Sequence, residues 1–258
     1  MRAYVRPLAV ALTLLAAAVP AIDLARAQLF SPDQRGEIEK IIREYLLRQP
    51  ELLQEVIAEM ERRQQAAEAD KHRAAIKDYS AAIFDSKRQV VIGDPKGDIT
   101  LVEFFDYNCG FCRRALADKI ELMKADPKLR IVLKEFPVLG EGSTQAAQIA
   151  VAVRMQDKTG GRKYFEFHQK MFGSRGQIDK ARALAVVREI GLDAARAEKE
   201  MGSEEVQQTL AESFRLAEAL GINGTPSYVV GNQVVVGAVG VEKLREAINT
   251  TRCGKARC

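Results

Sequence analysis

The sequence predicts an α/β domain carried behind an amino-terminal helical segment. After Asp85, short β-branched apolar runs alternate with helix-forming stretches. A long helical region then separates the third of those runs from the last two, and before Asp85 the pattern is helical throughout, with one narrow apolar stripe. With 258 residues, 47% hydrophobic and 29% charged, the chain is long enough for one or two globular cores and too apolar for a disordered protein.

The first residues read as an export signal rather than as part of the fold. Arg2 and Arg6 form a basic start, residues 8 to 19 are apolar and uncharged, and Ala25-Arg26-Ala27 has the small-x-small pattern of a cleavage site. The apolar core is shorter than the ~20 residues that span a bilayer, so cleavage after Ala27 is expected rather than a retained anchor. Losing Arg2, Arg6, Arg26 and Asp23 lowers the net charge from +4 to +2, a surplus too mild to argue for nucleic acid. The expected destination is a bacterial periplasm.

Ser31-Pro32-Asp33-Gln34 is a helix start, with a serine cap, a proline in the first turn and a glutamine where a capping box requires one. Ile38, Ile41, Ile42, Tyr45 and Leu46 follow at helical spacing. Pro50 interrupts, and Leu53, Val56, Ile57 and Met60 resume the stripe in a second helix. Residues 61 to 84 are rich in Ala, Glu, Lys and Arg and have little to bury, which predicts a helical stalk. A stripe too small to make a core must dock, either on the following domain or on copies of itself. The second is preferred, as a dimer or trimer joined through residues 28 to 60. The expected domains are therefore 1–27, 28–84 and 85–258.

Within the last of these, residues 89–93 and 99–105 read as strands, residues 112–126 as a helix and residues 130–136 as a third strand. The helical region runs from 143 to 220, with breaks near Gly160-Gly161, Gly173 and Gly191. Residues 226–230 and 233–237 form a hairpin about the turn Gly231-Asn232, and residues 240–250 close with a helix.

Cys109 and Cys112 lie where the second strand gives way to a helix. A cysteine at a helix start faces unpaired N–H groups and the positive end of the dipole, which favour the thiolate, and Arg113 and Arg114 add positive charge. A stabilised thiolate is a good leaving group, so a disulfide here would be readily donated to a substrate. On this reading Cys109 is the nucleophile and Cys112, one turn in, the resolving thiol. Two other readings stand beside it: a four-thiolate zinc site completed by Cys253 and Cys258, and a purely structural short bridge. Four cysteines in an exported chain of this size fit one reactive pair plus one other pair.

"VEFFDYNCGFC" and "GINGTPSYVVGNQVVVGAV" together resemble the DsbA-like branch of the thioredoxin fold, over residues 85 to 250. The fold implied is a thioredoxin fold with a helical insertion, preceded by a helical oligomerisation segment and stalk. "REYLLRQPELLQEVIAEME" adds a likeness to the oligomeric members related to the copper-sensitivity suppressor ScsC, whose amino-terminal helices join protomers. The resemblance makes Cys109 the attacking cysteine, Cys112 its resolving partner, Pro226 a cis proline, and Thr225 the residue that offers its backbone to an extended substrate. Glu103, on the same side of its strand as Leu101 and Phe105, matches an acidic residue beneath the disulfide, where a raised pKa suits it to relay a proton to or from Cys112.

The dipeptide between the cysteines is Gly110-Phe111, where strongly oxidising relatives carry Pro-His. No histidine is placed beside the thiolate, since His72 falls in the stalk and His168 in the insertion, and both read as surface or packing residues. This shifts the expectation toward isomerisation or reduction. Cys253 and Cys258 are read as a short bridge tethering the tail, with soft-metal binding or a second redox pair as alternatives.

The resemblance thus implies an exported thiol-disulfide isomerase acting on unfolded or mis-oxidised secreted proteins. It would use no cofactor and would draw electrons from a membrane-bound redox partner. The rivals are a monomeric disulfide oxidase of the same fold and a copper- or zinc-binding export protein.

Overall fold

The computed structural model describes residues 30–258, so the expected export signal lies outside the described residues. The described chain divides after Met60 into two units.

In the first unit, helix α1 spans Pro32–Arg48. The Ser31 hydroxyl accepts from Gln34 N at 3.2 Å and the Gln34 side chain accepts from Ser31 N at 2.8 Å, which completes a capping box. The helix ends before Pro50, and α2 begins at Glu51 and runs to Asp78. No residue of α1 is buried. Ile38, Ile41, Ile42 and Tyr45 are exposed, as are Leu53, Val56, Ile57 and Met60.

The second unit, Glu61–Cys258, starts well before the expected boundary after residue 84. Ile76 of α2 and Ile83 of α3, Ser80–Phe84, are buried in a core with Val102, Phe104, Val132 and Val229. The expected stalk therefore ends inside the domain. Its few apolar residues are sparse along the chain, yet they cover a sheet face that would otherwise meet water.

The sheet has five strands: β1 Val90–Gly93, β2 Ile99–Phe105, β3 Leu129–Glu135, β4 Ser227–Val230 and β5 Gln233–Val236, in the order β1-β3-β2-β4-β5. β2 and β3 are parallel, joined by the crossover helix α4, Gly110–Ala125, and the other pairings are antiparallel. β2 is central and covered on both faces, which is why "ITLVEFF" is nearly continuous in apolar residues rather than alternating. Glu103 on β2 is in register with Leu133 on β3 and Tyr228 on β4.

The insertion comprises α5 Glu141–Gln156, α6 Arg162–Gly173, α7 Lys180–Glu189, α8 Ala194–Glu200 and α9 Glu204–Ala219. Its breaks follow from caps. Gly161 has φ +90° and lies so close to β1 that a Cβ would meet the Val91 carbonyl oxygen at 2.6 Å. Asp179, Asp193 and Ser203 cap the next three helices, and the last of these breaks is one that glycine spacing alone had not marked. Helix α10, Val241–Cys253, closes the fold.

Candidate active site

Between β2 and α4 a short loop is held by one buried carboxylate. Asp106 Oδ1 accepts from Asn108 N and from Ser143 Oγ, each at 2.7 Å, and Oδ2 accepts from Val138 N at 2.8 Å and Leu139 N at 2.9 Å. Asn108 reaches the insertion, donating to Ile178 O at 2.9 Å and accepting from Ile178 N at 2.8 Å. These bonds fix the approach to α4, of which Cys109 is the N-cap.

Cys109 Sγ accepts from Cys112 N at 3.4 Å and lies 3.2 Å from the Thr225 carbonyl oxygen. The Thr225-Pro226 peptide bond is cis. The Cys109 thiol is brought down to about 5, chiefly by a hydrogen bond from the Cys112 thiol; burial opposes this, and hydrogen bonds from the Thr225 side chain and the Cys112 and Phe111 backbone reinforce it. Cys112, wholly buried, is pushed far above the ordinary thiol range by burial, by its bond to Cys109 and by the nearby charge of Glu103. One sulfur is thus ionised at neutral pH and the other held as a thiol. Neither is in a disulfide. Arg114, expected to add charge beside the thiolate, lies with its guanidinium carbon 4.4 Å from the centre of the exposed Phe111 ring.

Beneath the pair, Glu103 is fully buried and forms an ion pair with Lys119 of α4, also fully buried. Burial raises the Glu103 pKa and Lys119 opposes the rise, while Oε1 has no hydrogen-bond partner. Lys119 is not among the residues that the sequence motifs mark. Its spacing was the available signal, because seven residues after Cys112 is two helical turns and hence the same buried face. Asp106 is likewise unmarked, because its role depends on groups more than thirty residues away.

His168 was expected to be at the surface or in packing. It is wholly buried, 4.7 Å between ring centres from Phe105 and 4.8 Å from Phe172, with Nε2 3.3 Å from Lys119 Nζ. Cys253 and Cys258 are bonded to each other at the end of α10, with Cα atoms 6.3 Å apart. Among the described residues no group of three or more His, Cys, Asp or Glu side chains could hold a metal ion.

The DSBA-like thioredoxin domain family matches residues 100–249, more than half of the chain. The chain belongs to this DsbA-like family. The copper resistance protein ScsC N-terminal domain matches residues 34–67, so a DsbA-like domain follows an ScsC-type segment. A thioredoxin-like oxidoreductase from Silicibacter pomeroyi DSS-3 is 42% identical, covers 67% of this chain and 96% of its own, and superposes with a TM-score of 0.63. The thiol-disulfide exchange protein α-DsbA2 from Wolbachia pipientis is 28% identical over 71% of this chain and 97% of its own, with a TM-score of 0.65. A linker-deleted mutant of ScsC from Proteus mirabilis, 23% identical, shares the fold over 87% of this chain and 98% of its own, with a TM-score of 0.65. The chain spans about a quarter, 26%, of the length of the Na(+)/H(+) antiporter NhaA 1 of Salinispora arenicola, a curated relative that it matches at 24% identity over 170 residues.

In the DsbA-like domain the residues singled out from sequence come from distant segments. Glu103 is on β2, Cys109 and Cys112 are at the start of α4, and Thr225 and Pro226 immediately precede β4. Exposed Phe111, Val138 and Leu139 add apolar surface to the same loops, and the last two are tied to Asp106 through their backbone.

Proposed function

We propose that the protein is an exported thiol-disulfide oxidoreductase working mainly as an isomerase or reductase on mis-oxidised secreted proteins. The observation that carries this reading is the low-pKa Cys109 sulfur 3.2 Å from the Thr225 carbonyl, with Cys112 buried behind it as a thiol. Cys109 attacks a substrate disulfide and forms a mixed disulfide. The backbone of Thr225 is then in place to pair with an extended client whatever its sequence, and Phe111, Val138 and Leu139 offer it apolar contact. Either another client thiol resolves the mixed disulfide, which is isomerisation, or Cys112 does, which returns a reduced client.

A thiolate near 5 lies between the values of about 7 and about 3.5 typical of a reducing thioredoxin and of the strongest oxidants. That intermediate position, with Gly110-Phe111 and no imidazole at the sulfur, favours isomerisation or reduction over strong oxidation. The exposed stripe of α1 and α2 and the match to the ScsC N-terminal domain support a dimer or trimer joined through residues 28 to 60. Several catalytic faces would then surround one client, and a membrane-bound electron donor would keep Cys109 reduced. The basic and apolar start of the chain supports export to the periplasm with cleavage after Ala27.

The test joins three measurements. Mass in solution should exceed that of a monomer, a scrambled-disulfide substrate should regain activity with the wild-type chain, and rapid alkylation in the exporting compartment should find Cys109 mostly reduced. A monomer without isomerase activity, with Cys109 trapped mostly oxidised, overturns the proposal in favour of a disulfide oxidase.

A further inference from the structure

Helix α10 ends in a closed ring. Cys253, its last residue, is bonded to Cys258, and every residue from Cys253 to Cys258 is exposed. The ring lies back along the helix: Asn249 Nδ2 donates to Ala256 O at 3.1 Å, and Cys258 Sγ is 3.4 Å from Asn249 O. Helix and ring form the walls of a cleft of about 580 Å³, lined by Glu242, Arg245, Glu246 and Asn249 of α10 and by Ala256 and Arg257 of the ring. That volume falls within the range of small-molecule sites, about 300–1,000 Å³.

As a staple the bond has little to hold. It joins residues five apart in one stretch of chain, ties down no second element and encloses side chains that all face water. As a point of exchange it is well placed, because exposed disulfides are the ones that thiols reach and open. No carboxylate side chain lies within residues 247–258, whereas Arg252, Lys255 and Arg257 do. Arg252 is engaged by Asp98 at 2.7 Å and by Asp126 at 2.8 Å, but Lys255 and Arg257 form no ion pair among the described residues. These cations attract a thiolate that is part of an anionic molecule, and they offset the carbonyl end of α10, which by itself disfavours a leaving thiolate at Cys253. Glu246 of the same cleft, also without an ion pair among the described residues, offers a carboxylate to an ammonium group. A short peptide thiol with two carboxylates and one ammonium matches this set.

The catalytic pair cannot serve this bond within one chain. Arg252 pairs with Asp126, the C-cap of α4, whereas Cys109 is the N-cap, and sixteen residues at 1.5 Å each put the two ends about 24 Å apart. The reductant must come from outside.

We propose that the Cys253–Cys258 bond is a second thiol-disulfide exchange site, opened by a small anionic peptide thiol of the glutathione class seated in the α10 cleft. The site goes beyond the function proposed for Cys109 and Cys112 and does not rest on it. The peptide thiolate attacks one of the two sulfurs, the S–S bond breaks, and the other sulfur leaves with the electron pair and takes up the proton that the peptide thiol gave to water. A second peptide thiolate attacks the peptide sulfur of the mixed disulfide, and the sulfur of the chain leaves in the same way. The cysteine pair gains two electrons, and two peptide thiols are oxidised to one disulfide. In reverse, the peptide disulfide closes the ring.

The test uses the full-length chain with Cys109→Ser and Cys112→Ser, in which Cys253 and Cys258 are the remaining cysteines. It is mixed with excess glutathione, quenched in acid at timed intervals and weighed as ring-closed, glutathionylated and dithiol forms, and the series is repeated with cationic cysteamine at equal thiolate concentration. Glutathione is expected to open the bond in the folded chain through an adduct that maps to Cys253 or Cys258. Adding Lys255→Gln and Arg257→Gln should lower the ratio of the glutathione rate to the cysteamine rate about tenfold, a comparison in which the intrinsic reactivity of each thiol cancels. A ring that stays closed until urea unfolds the chain overturns the proposal, and a rate ratio unchanged in the glutamine variant overturns the cleft as the seat of an anionic peptide thiol. Should the serine chain fail to fold, the wild-type chain is read by the same criteria, with peptide mapping to separate the two pairs. A negative result here leaves the exchange reading of Cys109 and Cys112 standing, because those sulfurs take no part in the measurement.

Discussion

Replacing Lys119 with methionine keeps most of the buried stem and removes the ion-pair partner of Glu103, whose Oε1 has no hydrogen bond among the described residues. Both side chains are fully buried, so the loss is that of breaking a buried pair from one side, about 3–5 kcal/mol. In a domain of this size that lowers Tm by about 6–20 °C, at about 2–4 °C per kcal/mol. The loss depends on pH. Glu103 is already held above its ordinary pKa by burial against the opposition of Lys119, and without the cation it rises further. A carboxyl whose folded pKa is raised favours the folded state below its unfolded value, about pH 4.3, and that contribution is lost as pH rises through the folded value. K119M should therefore be closest to wild type at acid pH and worst at mildly basic pH. Adding Glu103→Leu removes the stranded carboxyl and should recover stability to within about 1–2 kcal/mol of wild type. Thermal unfolding of the wild type, both singles and the double at several pH values reads all of this. A K119M chain as stable as wild type at basic pH, or a double variant no better than K119M, would refute the reasoning.

Alkylation of the reduced chain should give a Cys109 reactivity half-maximal near pH 5, with Cys112 unreactive until the chain unfolds; mass spectrometry of the labelled peptides checks it, and a midpoint at the ordinary thiol value rules the thiolate out. Asp106→Ala strands the N–H groups of Val138 and Leu139 and frees the loop before Cys109, so urea unfolding should show a loss of about 3 kcal/mol or more, and mixed-disulfide formation should slow. Cys253→Ser with Cys258→Ser removes a short cross-link worth about 2 kcal/mol, visible as a lower Tm for the oxidised chain with the Cys109 alkylation profile unchanged. Gly231→Ala places a Cβ 2.4 Å from Thr251 Cγ2 at a backbone φ of +56°, and should lower stability by about 1–3 kcal/mol in the same unfolding assay.

Most of the fold was legible because its signals are local. The capping box at Ser31, the stop at Pro50, the strand-to-helix junction at Cys109 and the turn at Gly231 each depend on residues within a few positions of one another. The break before α9 was missed because its only markers are a glycine and a serine cap inside a strongly helical composition. The fate of residues 61 to 84 was misread because Ile76 and Ile83 are too sparse to register along the chain and become core only against the sheet.

By itself the sequence determined the two thiols at a helix start, the Thr-Pro ahead of a hairpin and the acidic residue in a central strand, because composition and spacing within one element fix which side chains share a face. Tertiary structure alone decided what each of them meets. Thr225 reaches Cys109 across 116 residues, Lys119 turns under Cys112 to pair with Glu103, and His168 comes in from the insertion to join Lys119 to Tyr107. Those meetings depend on how helices pack across a sheet, and burial there shifts the ionisation of Glu103, Cys112 and His168, which no local pattern encodes.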